Sequence, residues 1–189
     1  MLESGFELEG TNLFEIQVNK DARGQFSEYF KTSWGSSLEA HQWAIVRSEQ
    51  GVVRGGHLHF RHDEYFAIIE GVAWLGLYDF RRNSATAGKH ALYRLDGDRP
   101  AAVVFPPGLI HAWCFPCGRG LHLQGVSEEF ESYGSDDNHT CAWDDPELGI
   151  PWPKFDAVVS DRAAEAPSLS DLQKRFDDRT LVSMRRNGR

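Results

Sequence analysis

The sequence predicts an all-β protein with one short helix near its C-terminal end. Segments rich in aromatic and β-branched residues follow one another at spacings of roughly 8 to 15 residues, with turn residues between them. Long windows of 3.6-residue hydrophobic periodicity do not occur before residue 165. The chain has 189 residues, of which 41% are hydrophobic, and this fits a single domain over residues 1–189. Spacing and composition together favour a β-sandwich or barrel.

The first two predicted strands lie before residue 31 and read LFEIQV and GQFSEYF. A turn at residues 21–24 separates them. Apolar side chains alternate along both strands in greater number than one small barrel covers, and they are Leu13, Phe14, Ile16, Val18, Phe26 and Phe30. We therefore expect the N-terminal strands of residues 1–30 to lie in the interface of a homodimer.

The central part of the chain supplies the remaining predicted strands. They read WAIVRS, YFAIIEG, VAWLGLYDF, ALYRL, AAVVF, HAWCF and LHLQGVS. Glycine and proline turns at residues 55–56, 96–98, 106–108 and 118–120 punctuate them. Near the end, Pro167 and Ser168 precede LSDLQKRFDD, which puts Leu169, Leu172 and Phe176 on one helical face. We expect residues 165–189 to form a helix and tail, with the helix packed against the sheet.

The charge of the chain argues against two classes of partner. A formal net charge of −8 and a pI near 5.4 do not suit nucleic acid or anionic membranes, which attract clustered lysine and arginine. No signal peptide is recognisable, and no run of about 18 apolar residues could span a bilayer. We therefore expect a cytoplasmic protein that binds neither nucleic acid nor membrane. A few arginines can still hold a small anionic ligand in such a protein.

Three histidines and one glutamate have the spacing of a metal site. His57 and His59 are two positions apart, so both side chains would project from the same face of a strand. Glu64 lies beyond the next turn, and His111 follows the tight bend of PPGLIH. Three imidazoles and one carboxylate suit a divalent transition metal such as Zn, Fe, Mn, Ni or Co. The alternative interpretation is a set of hydrogen-bonding groups inside a barrel.

These residues resemble the motifs of the cupin superfamily, and the resemblance implies a double-stranded β-helix, or jelly-roll, barrel. Its first motif, G-x5-H-x-H-x4-E-x6-G, is matched by Gly51, His57, His59, Glu64 and Gly71. The core of its second motif, P-x-G-x2-H, is matched by Pro106, Gly108 and His111. The second motif is incomplete, because Phe115 stands where the superfamily often has Asn. The resemblance implies a metal held by His57, His59, Glu64 and His111.

A second resemblance covers most of the chain, from DARGQFSEYF to the C-terminal helix. The matching stretches are D-x-R-G-x-F-x-E at residues 21–28, G-V-x-R-G-x-H at residues 51–57, GVAWLGLYDFRRNSATAGKH, PPGLIHAW, WDDPELGIPWP and SDRAAEAPSL. Here the chain resembles the dTDP-4-dehydrorhamnose 3,5-epimerase family, a branch of the cupins that requires no metal. The resemblance implies a nucleotide-linked 4-keto-6-deoxy sugar as substrate. A base would remove the proton next to the ketone, and an acid would return it on the opposite face.

The same resemblance implies roles for individual residues by position. His57 would be the base, Asp145 the carboxylate that orients its imidazole, and Tyr133 the opposing acid. Substrate would be bound by Arg23, Glu28, Gln42, Arg54 and His111. The residue types suit this chemistry, because histidine is a base with a suitable pKa and a guanidinium forms paired hydrogen bonds with a diphosphate.

Two departures from this family complete the metal pattern instead. The family usually reads R-G-L-H-Y-Q where this chain reads RGGHLH, so His59 takes the Gln position. Glu64 stands where the family usually has a Lys close to the developing enolate oxygen. A carboxylate there raises the barrier unless another group supplies positive charge, as a metal ion would. His57 is thus either the base or a ligand; in the second case Tyr133, Asp145 or a metal-bound hydroxide would move the proton.

Three functions follow from these observations. The first is an epimerase or isomerase acting on a nucleotide-activated keto sugar in the biosynthesis of cell-surface polysaccharides or glycosides. The second is a metal-dependent cupin dioxygenase or similar oxidoreductase. The third is a cupin that binds a dTDP-sugar or another NDP-sugar without turning it over. Isotope exchange, oxygen consumption and binding without turnover distinguish them in that order.

Overall fold

Two antiparallel sheets face each other and form a jelly-roll barrel, which confirms the predicted all-β class. The computed structural model of the chain describes residues 1–36 and 38–186. Its strands are β1 Leu2–Gly5, β2 Asn12–Glu15, β3 Val18–Asp21, β4 Gly24–Ser27, β5 Gln42–Ser48, β6 Val53–Leu58, β7 Glu64–Glu70, β8 Val72–Asp79, β9 His90–Asp96, β10 Ala101–Phe105, β11 Leu109–Cys114, β12 Gly120–Val126 and β13 His139–Thr140. Its α-helices are α1 Phe130–Tyr133, α2 Asp161–Ala164 and α3 Leu169–Arg186. The strand order is β1-β9-β8-β11-β6-β13 in one sheet and β2-β10-β7-β12-β5 in the other.

Side-chain alternation along the strands places the main core between the two sheets. Phe66 and Ile68 of β7, Leu75 and Leu77 of β8 and Trp113 of β11 belong to this core, and all are at least 97% buried. Their neighbours in the chain point the other way. Because successive side chains of a strand point to opposite faces of the sheet, each strand contributes side chains to the inner core and to an outer cluster.

The two outer faces are covered by the ends of the chain. Leu58 and Ile110, on the outer face of the six-stranded sheet, pack with Leu169 and Leu172 of α3. Tyr65 and other outer residues of the five-stranded sheet pack with the N-terminal segment that contains Ile16 and Leu38. The predicted packing of the C-terminal helix against the sheet is therefore confirmed.

The structure corrects several element boundaries. β1 is an additional strand that pairs with the edge strand β9; its sequence, LESG, has no β-branched or aromatic residue that would have indicated it. The predicted strand LFEIQV divides into β2 and β3, and the predicted strand GQFSEYF ends at Ser27. The C-terminal helix extends through Arg186, well beyond the predicted decapeptide. Of the predicted tail, residues 187–189 lie outside the described residues.

Within the described residues, the helices are too short or too polar to cross a bilayer.

Candidate active site

The histidines and the glutamate of the predicted metal site meet inside the barrel, where the two sheets face each other. β6 and β11 are neighbours in the six-stranded sheet, and His57 lies directly opposite His111 in their register. Glu64 begins β7 in the five-stranded sheet, next to Val126 of β12. Residues distant in the sequence thus converge because the sheets pack face to face.

The Arg-Gly-Gly-His stretch, predicted as a turn at residues 55–56, lies within β6 at a register shift and depends on its glycines. Gly55 and Gly56 have φ angles of 118° and 62°, a region that favours glycine. A Cβ on Gly56 would lie 1.8 Å from the carbonyl oxygen of Cys141, and one on Gly55 would lie 2.5 Å from the Cα of Ala112. The close approach of β6 to its neighbours, which sets His57 opposite His111, therefore requires both glycines.

Glu64 is the centre of a buried cluster of imidazoles. Its Oε1 lies 3.5 Å from Nε2 of His59, 3.5 Å from Nε2 of His62 and 3.1 Å from Nε2 of His111. Its Oε2 accepts a hydrogen bond of 3.0 Å from the side-chain amide of Gln124 on β12. All four residues of the cluster are more than 90% buried.

The charges of this cluster are strongly coupled. Burial alone would raise the pKa of Glu64, but the adjacent His111, with His62 and His59, lowers it well below its usual range. Burial alone would lower the pKa of His111, but Glu64 raises it. Burial lowers the pKa of His59 to about 4 in spite of Glu64. The carboxylate is therefore ionised at neutral pH.

Asp137 positions the loop between β6 and β7, which carries His59 and His62. Its buried carboxylate accepts hydrogen bonds of 2.9 Å from the backbone N–H groups of Phe60 and Arg61. Its backbone carbonyl lies 2.5 Å from Nδ1 of His59. One residue thus fixes both the path of the loop and the orientation of the His59 imidazole.

His57 lies at the edge of the cluster and lines a separate cavity. Its ring centroid is 5.7 Å from that of His111, and the side chain is only partly buried. The cavity has a volume of about 260 Å³, and its polar lining consists of Arg54, His57, Thr140, Ser160 and Arg162. Burial, followed by the charge of His111, lowers the pKa of His57 to about 3. Its imidazole is consequently unprotonated at neutral pH and can accept a proton.

The hydrogen bonds of Asp145 join it to backbone N–H groups and not to His57, its expected partner. Oδ1 of Asp145 accepts a hydrogen bond from the N–H of Glu147, and Oδ2 accepts one from the N–H of Leu169, both at 2.8 Å. The carboxylate therefore caps a 3-10 helix at Pro146–Leu148 and the first residue of α3. No hydrogen bond joins it to His57 in the described part of the chain. The Asp-Pro sequence indicates this capping role by itself, since Pro favours the first position of a helix.

Tyr133 lies against the imidazole cluster. Its ring centroid is 4.3 Å from that of His62 and 5.5 Å from that of His59. Burial, followed by the charge of Glu64, raises the pKa of its hydroxyl, so the group is protonated at neutral pH. Gln42 supports this segment, because its Oε1 accepts a 2.8 Å hydrogen bond from the N–H of Phe130 at the start of α1.

The structure brings only some of the predicted substrate-binding residues together. Arg54 lines the cavity of His57 and donates a 2.9 Å hydrogen bond to Ser48. Arg23 and Glu28 do not line that cavity. The Arg23 side chain is 90% exposed and pairs with Asp21, and Glu28 pairs with Lys31. Both stand on or beside the β3–β4 hairpin, which pairs with neither large sheet.

Sequence reasoning missed four residues of the site, namely His62, Gln124, Asp137 and Arg162. His62 follows the H-x-H pair by only three residues, and this proximity was the one available signal. Gln124 occupies an alternate position on β12 that faces Glu64, which requires the register to recognise. Asp137 comes from the turn before β13, and Arg162 comes from α2. Arg162 falls within the SDRAAEAPSL stretch, where the family resemblance gave the only indication.

Comparisons with known proteins agree with this architecture. A protein-family model described as dTDP-4-dehydrorhamnose 3,5-epimerase matches residues 5–171. A dTDP-4-dehydrorhamnose 3,5-epimerase from Mycobacterium tuberculosis is 29% identical over 182 residues, with 88% of each chain covered. The spore coat polysaccharide biosynthesis protein SpsL from Bacillus subtilis is 26% identical, over 77% of this chain and 96% of SpsL.

A solved structure gives the same result at the level of the fold. ChmJ from Streptomyces bikiniensis, a 3'-monoepimerase crystallised with dTDP-quinovose, superposes with a TM-score of 0.82 at 25% identity. The superposition covers 90% of this chain and 89% of ChmJ. The family match spans most of the sequence and the barrel is shared, so this chain belongs to the dTDP-4-dehydrorhamnose 3,5-epimerase family.

Proposed function

We propose that this protein is an epimerase that acts at a carbon next to the ketone of a nucleotide-linked 4-keto-6-deoxy sugar. The family membership supports the reaction class. The observation that carries the proposal is the position of His57: its imidazole is unprotonated at neutral pH and lines a cavity together with two arginines. A base and two cationic side chains thus line the same cavity.

The chemistry requires this combination. A C–H next to a ketone is a weak acid, so the base must contact it and the negative charge on the enolate oxygen must be stabilised. His57 would accept the proton. Its low pKa makes it a weak base, so stabilisation of the enolate contributes more to the rate. Arg54 and Arg162 are the cations that line the same cavity, and guanidinium groups also bind phosphate oxygens in pairs.

Return of the proton on the opposite face requires an acid, and Tyr133 is the proposed donor. Its raised pKa keeps the hydroxyl protonated. Its ring contacts His59 and His62, and His59 in turn lies beside His57, with 6.1 Å between the ring centroids. His111, opposite His57 in register, would lie beside the sugar ring.

The relatives suggest the nucleotide and the process. ChmJ was crystallised with dTDP-quinovose, the M. tuberculosis enzyme is named for a dTDP-sugar, and SpsL is named for polysaccharide biosynthesis. We infer a dTDP-sugar or another NDP-sugar as substrate, in the cytoplasmic synthesis of a cell-surface polysaccharide or glycoside.

We also infer a single domain over residues 1–189 that pairs as a homodimer through residues 1–30. Leu13 on β2 is 41% exposed and Phe26 on β4 is 63% exposed. Large apolar side chains exposed on short N-terminal strands are typical of a surface that a second copy covers. The β3–β4 hairpin with Arg23 and Glu28 would then extend toward the partner.

A metal-dependent oxidoreductase on the same scaffold is the second candidate, because three imidazoles surround Glu64. That reaction would consume oxygen in the presence of the substrate. It would leave the cavity shared by His57, Arg54 and Arg162 without a role.

Deuterium uptake tests the proposal. The protein is incubated in D2O with a dTDP-linked 4-keto-6-deoxy sugar, and the sugar nucleotide is weighed by mass spectrometry. We expect a gain of one mass unit per exchanged carbon, lost in His57→Gln and retained in His122→Leu, which replaces a buried histidine outside the cavity. Binding of the sugar nucleotide without any mass gain would contradict the proposal and indicate a cupin that binds an NDP-sugar without turning it over.

A further inference from the structure

Three imidazole nitrogens approach one oxygen of Glu64, and the structure provides no hydrogen bond for two of them. Nε2 of His59, His62 and His111 lie 3.1–3.5 Å from Oε1. The Nε2 atoms of His62 and His111 are buried and lack a hydrogen-bond partner among the described residues, as does Nδ1 of His62. Buried polar atoms are rarely left in this state, so a group that satisfies them is expected between these side chains.

The opposite ring nitrogens show where the protons are. Nδ1 of His59 lies 2.5 Å from the carbonyl oxygen of Asp137, and Nδ1 of His111 lies 3.1 Å from that of Leu109. A carbonyl oxygen can only accept, so Nδ1 carries the hydrogen in both rings. In the neutral imidazole, Nε2 then presents a lone pair to a carboxylate, which is also an acceptor. One additional proton could bridge one of these two contacts, of His59 and of His111 with Glu64, but it could not bridge both.

A cation between these side chains would satisfy the atoms that lack a hydrogen bond. Bond lengths of about 2.0–2.2 Å place the ligand atoms of a tetrahedral metal ion about 3.3–3.6 Å apart, and those of an octahedral ion about 2.8–3.1 Å apart. The 3.5 Å separations from Glu64 Oε1 to His59 and His62 fall in the tetrahedral range, and the 3.1 Å separation to His111 falls in the octahedral range. Imidazole nitrogens together with a carboxylate favour a divalent transition metal such as Zn, Fe, Mn, Co or Ni.

The surroundings of these groups also match a metal centre. Histidine ligands usually donate their second N–H to a backbone carbonyl, as His59 and His111 do, and carboxylate ligands are usually hydrogen-bonded. Gln124 donates to the Glu64 oxygen that faces away from the imidazoles. Asp137 fixes the loop that carries two of the histidines.

We propose that His59, His62 and Glu64 bind a divalent transition metal next to His111, with His62 in place of the His57 that the sequence motif assigns. The ligand atoms of His59, His62 and Glu64 all lie within 4.8 Å of one another. His62 is 1% exposed and has no other polar contact for its ring nitrogens in the described structure, whereas His57 is partly exposed to a cavity that it shares with Arg54 and Arg162. His57 thereby remains a base and is not a ligand.

His57 is the competing ligand, because its ligand atom also lies within 4.8 Å of those of His59 and His111. The two triads share His59, so a single measurement of metal content does not separate them. Substitution of His62 and of His57 does. The inference is independent of the proposed reaction, since metal content is measured on the protein without substrate.

The test is the metal content of protein purified without a metal-affinity column and dialysed against a weak chelator. Plasma mass spectrometry is expected to find about one equivalent of a transition metal in the wild type. His62→Phe keeps a ring against Tyr133 and removes both nitrogens; we expect it to lose the metal, with a Kd raised at least about 10-fold. His57→Gln, together with the matched control His122→Leu, is expected to retain it. Circular dichroism verifies that each variant is folded.

A spectroscopic measurement makes the result independent of the stability of the variants. Wild-type protein stripped of metal and reloaded with Co²⁺ is expected to show the visible absorption of nitrogen- and oxygen-coordinated cobalt, at a stoichiometry of about one. Metal-free wild type that also fails to bind added Co²⁺ or Zn²⁺ would overturn the proposal. Loss of the metal in His57→Gln with full retention in His62→Phe would overturn the assignment of His62.

Discussion

At the scale of a single residue, the hydrogen-bond partners of Asp145 indicate a structural role for its carboxylate. Both of its oxygens accept backbone N–H groups, one in the 3-10 helix at Pro146–Leu148 and one at the start of α3. These bonds join two segments that are 24 residues apart in the sequence. A carboxylate with both oxygens engaged in this way stabilises the connection, and we propose that this is its main role.

Substitution of Asp145 should therefore affect stability more than catalysis. Asp145→Ala removes both caps, and we expect the free energy of unfolding to fall by about 1–2 kcal/mol. Deuterium uptake at a temperature where the variant is folded should remain within a few-fold of the wild type. Urea unfolding and the mass-spectrometric exchange assay measure the two effects. A loss of exchange comparable with that of His57→Gln, with unchanged stability, would restore the catalytic role.

Some site residues could be predicted because local spacing places them together. Others could not, because contacts with distant residues place them. His59, Glu64 and His111 follow a spacing that strand alternation and one turn convert directly into proximity, so the motif was sufficient. His62 stands in a loop whose path is set by the distant residue Asp137, and no local pattern reveals that contact. Arg162 reaches its cavity from the segment after β13 for the same reason.

At the scale of elements, α3 is the helix that covers the outer face of the six-stranded sheet. Leu169 and Leu172 are at least 98% buried among residues of β6, β8 and β11, and Phe176 packs at the edge of this cluster. The helix and its buried face could be predicted because three apolar residues recur at helical spacing. The helix end could not, because no capping residue marks it within LSDLQKRFDD.

Removal of one buried side chain tests this packing. Leu172→Ala should lower the free energy of unfolding by about 2–4 kcal/mol, since Leu172 is fully buried and the sheet beneath cannot move to fill the cavity. Gln173→Ala, at the neighbouring exposed position, serves as the control and should change stability by less than about 0.5 kcal/mol. Equal effects of the two substitutions in urea unfolding would show that α3 does not pack as described.

At the scale of the whole molecule, the jelly-roll interior holds ionisable groups whose burial links folding to pH. His122 on β12 is fully buried between Phe66 and Trp113, and burial lowers its pKa to about 3. The unfolded state binds a proton at His122 below pH 6.5, whereas the folded state does not until about pH 3. Stability is therefore lost as the pH falls through this window.

His122→Leu should remove this contribution. We expect the free energy of unfolding of metal-free wild-type protein to fall between pH 6 and pH 4.5 more steeply than that of His122→Leu. The difference in slope should approach about 1.4 kcal/mol per pH unit, the value for one proton. Urea unfolding at a series of pH values measures both slopes, and parallel curves would show that His122 does not couple to folding.

The proposed dimer is a second property of the whole molecule. Light scattering at micromolar concentration should give twice the chain mass of 21.4 kDa. Phe26→Asp introduces a charge at the exposed apolar position on β4 and should weaken the dimer at least about 10-fold. A monomeric mass for the wild-type protein at this concentration would contradict the proposed dimer and any contribution of a second copy to the site.

The central claim is that the protein removes and returns a proton at a carbon next to the ketone of the sugar. Hydrogen–deuterium exchange resolved by carbon position tests it most directly. Proton NMR follows a dTDP-linked 4-keto-6-deoxy sugar in D2O with catalytic amounts of the protein. We predict that the signal of a hydrogen on C3, C5 or both disappears with time, while the signals of the nucleotide and of the C1 hydrogen persist. Full retention of the C3 and C5 signals, in protein shown to bind the sugar nucleotide, would contradict the claim.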